Sequence, residues 1–305
     1  EISACLVGSE MCIIDRAMGL LYMALARVLV ARAPGRAVLL METCLALGVI
    51  FASLAIPLGL DARWTSAAWA VEGAGLYWLA LRQQRLFARL FALLLQAGAA
   101  AAYLWEVRLG YDTLLTGSAL GALMLGVALL FSFLQLRGAG DGVAERERQL
   151  QPLLAHGGLA FLYLMAPLCF SPYGTAAAWA LAGLATLLAG LHLGVRSVLI
   201  SAFVVQALGG MIYLIFSDGL DQAVVAETLR PLAHLAFWAP VLLALAGLLC
   251  AWRLYLAGRG ARPELLPLDM NELSHVALFW SAAWWLLAAL LSLIHISEPT
   301  RQAEI

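Results

Sequence analysis

The chain reads as an all-α polytopic transmembrane bundle of about ten helices with a parallel internal duplication, and three observations predict it. Hydrophobic residues fill 64% of the 305 positions and charged residues only 12%, with a mean hydropathy of +0.91, whereas soluble domains devote about a quarter of their residues to charge. Apolar stretches recur at close to the length a helix needs to cross a hydrocarbon layer, about 20 residues. Residues 51–104 also align on residues 161–214, without a gap, at a constant offset of 110. Phe51/Phe161, Leu54/Leu164, Pro57/Pro167, Leu58/Leu168, Thr65/Thr175, Trp69/Trp179, Gly73/Gly183, Gln96/Gln206, Tyr103/Tyr213 and Leu104/Leu214 coincide. The agreement reaches the scarce Pro, Trp, Gln and Tyr positions, where chance matches are rare.

In chain order the expected spans are 17–32, 37–57, 65–81, 86–104, 114–136, 152–170, 174–191, 196–216, 231–252 and 273–291. Both ends are set aside. Residues 1–16, with CLVGSEMCIIDR, and 292–305, SLIHISEPTRQAEI, resemble translated sequencing-adapter read-through and are read as non-native scars. On that reading 17–291 is the transmembrane domain, and its missing N- and C-terminal parts are partners it would normally have. The connections are short; the longest, 137–151 and 257–272, leave no room for a soluble domain.

All 18 basic residues are arginine, and their distribution tests the span count, because cytoplasmic loops carry the basic excess. Odd-numbered connections hold Arg32, Arg36, Arg82, Arg85, Arg89, Arg137, Arg146, Arg148, Arg196, Arg253, Arg259 and Arg262, and even-numbered ones hold only Arg63, Arg108 and Arg230. The odd loops are therefore expected in the cytoplasm of a bacterial inner membrane, with both ends of the fragment outside. Four spans separate the two copies, an even number, so they share one orientation. A net charge of −1 and the scatter of the arginines exclude a basic nucleic-acid face. Partners are expected to be the lipid bilayer and other parts of the same chain, with no nucleic acid.

Tryptophans fall where an amphipathic ring anchors to a membrane interface: Trp64, Trp105 and Trp179 at the outer side, Trp78 and Trp252 at the inner. Gly117/Gly121 and Gly190/Gly194 have the spacing of close helix packing. Pro167 and Pro240 sit within spans, freeing the carbonyls of Tyr163 and Ala236. Cys44, Cys169 and Cys250 lie in apolar segments as small hydrophobes. No CxxC or Cys/His cluster occurs, so no metal and no cofactor is expected.

The run Ala55-Ile56-Pro57-Leu58, then Trp64-Thr65-Ser66-Ala67-Ala68-Trp69-Ala70-Val71-Glu72-Gly73-Ala74 with Leu76, Trp78 and Arg82, resembles the bacterial predicted membrane proteins of domain of unknown function 2339. Their pattern is similar to A-x-P-L followed by W-T-x-x-x-W-x-x-E-G-A. The resemblance covers about 40 residues and implies a many-pass inner-membrane chain longer than this one. It implies no activity.

Polar groups at membrane depth are costly and face the protein interior, so they carry the functional reading. Glu72 lies within its span among small neighbours. Gln96 and Gln206 are repeat mates halfway along theirs, while Glu72 aligns with Ala182, so the duplication diverges at its most costly residue. Glu72, Gln96 and Gln206 form the expected intramembrane polar site, read either as a cation- or proton-linked site or as interhelical glue. Arg27 and Glu42 are expected to pair structurally near the cytoplasmic side. His156, His192, His234 and His275 stand at helix ends, where interfacial solvation accounts for them. Catalytic residues are not expected, since HExxH, GxSxG and phosphate-loop patterns are absent. Two roles stay open, a transporter- or flippase-like one and a structural or envelope-assembly one, with a membrane-embedded enzyme third.

Overall fold

The computed structural model describes residues 17–29, 62–107, 118–216, 235–259 and 270–302, with a few single positions between 32 and 48. Among these residues the regular elements are helical. They are α1 (Ala17–Leu29), α2 (Ala62–Arg82), α3 (Leu86–Glu106), α4 (Ser118–Gly138), α5 (Glu145–Arg148), α6 (Gln151–Cys169), α7 (Pro172–Leu193), α8 (Arg196–Phe216), α9 (Leu235–Gly258) and α10 (Met270–Gln302), with one 3-10 turn at Gly140–Gly142.

Seven segments among the described residues are long and apolar enough to cross a membrane: α3, α4, α5 with α6 as Glu145–Cys169, α7, α8, most of α9 as Phe237–Gly258, and Met270–Leu290 of α10. Helix α2 has 21 residues, as many as α3, yet is not among the seven, because Glu72, Thr65 and Ser66 lower its hydropathy. All but a few positions of the expected span at 37–57, and the whole segment 1–16, lie outside the described residues. Helix α10 stays helical to Gln302, past the expected end at 291.

The chain forms two compact units, residues 1–108 with 114–144 and residues 109–113 with 145–305. The first holds α1 to α4 and the second α5 to α10, so each holds one copy of the repeat. In the first unit α2 is the central helix, packed along both α3 and α4, which touch each other far less. In the second unit α7 has the same place between α8 and α9; α10 lies along α9, and α6 rests on α7 and α8.

Spacing in the sequence explains which face each helix buries. In α3 the buried residues are Arg89, Ala92, Gln96, Ala99 and Tyr103, separated by threes and fours, which places them on one narrow stripe. Phe87, Leu90 and Leu94 are exposed on the opposite side, as lipid contact requires. The hairpin turns repeat as well. Gln84, between α2 and α3, has φ 57°, and Gly194, 110 residues later between α7 and α8, has φ 66°. A left-handed residue with a Cβ costs about 1–2 kcal/mol. The Gln84 amide offsets part of that by donating to the Leu81 carbonyl at 3.1 Å, whereas Gly194 needs no such help. Helix α7 starts on Ser171, whose side chain accepts from the Gly174 N–H, followed by Pro172, which is preorganised for a first helical turn.

Candidate functional site

The polar residues singled out above sit at a contact built twice. In the first unit α2 approaches α3 at Gly73, where a Cβ would stand 2.7 Å from Gln96 Cγ and 3.0 Å from the Ala92 carbonyl oxygen. In the second unit α7 approaches α8 at Gly183, where a Cβ would meet Gln206 Cγ and would stand 3.1 Å from the Ala202 carbonyl oxygen. Glycine is required at both because the neighbouring backbone carbonyl occupies the space a side chain would take, the close approach that small residues permit in membrane helices.

Each glutamine then reaches a third helix of its own unit. Gln96, 1% exposed, donates from Nε2 to Ser132 Oγ on α4 at 2.7 Å. Gln206 donates from Nε2 to Cys250 Sγ on α9 at 3.0 Å, a weaker acceptor than a hydroxyl. Ser132 and Cys250 are hydrogen-bond partners that the sequence reading missed. They are 118 residues apart rather than 110, and at that offset Leu125/Leu243, Ala128/Ala246 and Leu136/Leu254 are identical and buried in both copies. The duplication thus includes a third helix. Seven of the eight added residues lengthen the connection, 107–117 in the first copy and 217–234 in the second, and an ungapped alignment stops there. A second offset was the signal that could have found it.

Glu72 precedes Gly73 on α2. It is half-buried and its Oε2 atom is enclosed by protein, so the carboxyl is turned inward in part. The N–H group of Gln96 goes to Ser132 and not to Glu72. Gln96 and Gln206 each bond within their own unit, so the pair is one contact made twice.

The expected anchors divide. Trp105 is 91% exposed at the end of α3, as suits an interfacial ring. Trp64 lies in α2, its side chain outside the described residues. Trp179 differs from the expectation of a wet indole: its Nε1 donates to the Tyr163 carbonyl at 2.8 Å. That carbonyl lies four residues before Pro167, which has no N–H to give it, so the indole of α7 satisfies the acceptor that the proline leaves open in α6. Arg27 is exposed on α1, and Glu42, the other member of the expected pair, lies outside the described residues.

His156 also departs from simple interfacial solvation. Its Nδ1 lies 2.6 Å from Ser201 Oγ, joining α6 to α8, while Tyr163 donates to Thr186 Oγ1 at 2.8 Å and joins α6 to α7. The matching positions in the first copy are Ala46 and Phe91, and Ser53 and Leu76, so these bonds belong to the second copy alone. Among the described residues no group of His, Cys, Asp and Glu could hold a metal ion.

Long apolar helices and small-residue contacts with polar side chains bonded between helices define a multi-pass helical membrane protein. Residues 3–144 match the family model of the predicted membrane proteins of domain of unknown function 2339, the family that the Trp64–Ala74 motif resembles. No curated protein matches the chain, and no solved structure does.

Proposed function

We propose that the protein is a transporter- or flippase-like carrier of a bacterial inner membrane, in which Glu72 links movement of a polar solute or lipid headgroup to a proton or cation. One observation carries the reading: the Gly–Gln contact is the same in both copies, and only the first places an acid beside it, where the second has Ala182. An intramembrane acid is costly enough to mark a pathway by default, and parallel duplications are a recurrent design of carriers. The test uses the purified full chain in vesicles loaded with a pH-sensitive dye and NBD-labelled phosphatidylethanolamine. Protein-dependent proton entry or lipid redistribution is expected, and Glu72→Gln should abolish it at normal folded yield. Inactive wild-type vesicles with both probes would overturn this reading.

A structural or envelope-assembly role is the second reading, favoured by the way the described polar pairs fasten one helix to another: Gln96 to Ser132, Gln206 to Cys250, Tyr163 to Thr186 and Ser281 to the Ala244 carbonyl. Under it, deletion of the gene perturbs the envelope, while Glu72→Gln is tolerated and Glu72→Ala lowers stability. Orientation follows the arginines. Single cysteines at Gln84 and Gly140 should react with an impermeant maleimide only after spheroplasts are permeabilised, and ones at Gly110 and Gly219 before; the reverse pattern inverts the topology.

A further inference from the structure

The geometry points to Gln96 as the positioning residue for a proton on Glu72: the enclosed carbonyl oxygen of Gln96 accepts a hydrogen bond from the protonated Glu72 carboxyl across the α2–α3 contact. This rests on reading Glu72 as the coupling acid. Gln96 gives its N–H to Ser132, and its Oε1 is buried without a hydrogen-bond partner. A buried amide oxygen left that way is costly and calls for a donor. Gln96 lies against Gly73, the residue after Glu72, and Glu72 Oε2 is enclosed on the same helix. An ionised carboxylate is an acceptor only and would repel the amide oxygen, whereas a protonated carboxyl has the O–H that fits it.

The other titratable and charged groups described on the helices that meet here are Tyr77 and Arg82 on α2, Arg85, Arg89, Tyr103 and Glu106 on or beside α3, and Arg137 on α4. Arg89 and Tyr103 are each seven residues from Gln96, about 10 Å along the helix. The second copy supplies the control. With Ala182 in place of the acid, the Gln206 oxygen is not among the enclosed orphan atoms of the described residues.

The test is infrared spectroscopy of the purified full chain in the carbonyl-stretch region of protonated carboxylic acids. Wild type should show a band that Glu72→Gln removes. Gln96→Met, similar in length and lacking the acceptor, should shift that band to higher frequency, and Gln206→Met should leave it in place. Gln96→Asn keeps the amide but withdraws its oxygen by one methylene, and should shift the band the same way if the Met variant folds poorly. No band sensitive to Glu72→Gln, or one that both Gln96 variants leave unmoved, overturns the proposal. The outcome is separable from transport. A shifted band with inactive vesicles sinks the carrier reading alone; active vesicles with an insensitive band sink this one.

Discussion

The block of α2, α3 and α4 and the block of α7, α8 and α9 solve one packing problem with different residues, and the differences show which parts of the solution are obligatory. A glycine on the central helix, a glutamine on the second and a small polar acceptor on the third recur, as Gly73, Gln96 and Ser132 and as Gly183, Gln206 and Cys250. The turn residue varies between Gln84 and Gly194, although both adopt the left-handed conformation. The residue before the glycine varies between Glu72 and Ala182. Backbone proximity is thus the shared requirement, because without a hydrophobic driving force between helices in lipid, close van der Waals contact and interhelical hydrogen bonds hold the bundle. The acid is an addition to one block.

The contact glycines offer the strongest way to break this equivalence. Gly73→Ala and Gly183→Ala should each destabilise the fold by about 1–3 kcal/mol through overpacking, read as a lower thermal unfolding midpoint, since a fixed backbone carbonyl stands 3.0 Å and 3.1 Å from the new Cβ. If one is tolerated, the blocks are not equivalent. Trp179→Phe comes next. It keeps a smaller aromatic ring but removes the N–H that reaches the Tyr163 carbonyl, at a cost of about 1 kcal/mol or somewhat more; an unchanged midpoint would mean that carbonyl finds another donor.

Exchanging the turns sharpens the comparison further. Gly194→Gln should destabilise by about 1 kcal/mol, the penalty for a Cβ at φ 66°. Gln84→Gly should change stability by less, because it relieves the same strain while losing the bond to Leu81. The smallest effect is expected from Cys250→Ser, which copies Ser132 into the second block. The hydroxyl accepts from Gln206 as the thiol does, so the unfolding free energy should change by less than the roughly 0.6 kcal/mol that an average interhelical hydrogen bond contributes. A large loss there would show that the third helices are not interchangeable.

Much of this was legible before any coordinates. The offset of 110 located Gly73, Gly183, Gln96 and Gln206 together, because a duplicated fold keeps the residues that backbone proximity demands. Ser132 and Cys250 were not legible, since the longer connection in the second copy shifts the register and neither residue looks polar enough to notice in an apolar helix. His156 was read as solvated from its place near a helix end, and only the crossing of α6 and α8 revealed Ser201 beside it. Trp179 was read from its depth in the span, although the proline that frees the Tyr163 carbonyl was already visible.

By itself the sequence determined the environment, the helices and the duplication. These follow from local composition and from period: hydropathy sets whether a segment enters lipid, and a helix in lipid must satisfy its own backbone. Only the tertiary structure decided which polar atom meets which. The partner of a buried amide depends on where a third helix places its hydroxyl or thiol within hydrogen-bond reach, a position that no spacing along one helix encodes. For the same reason the sequence located Gln96, and only the place of Ser132 on α4 showed that its amide nitrogen is engaged while its single side-chain oxygen is left without a partner.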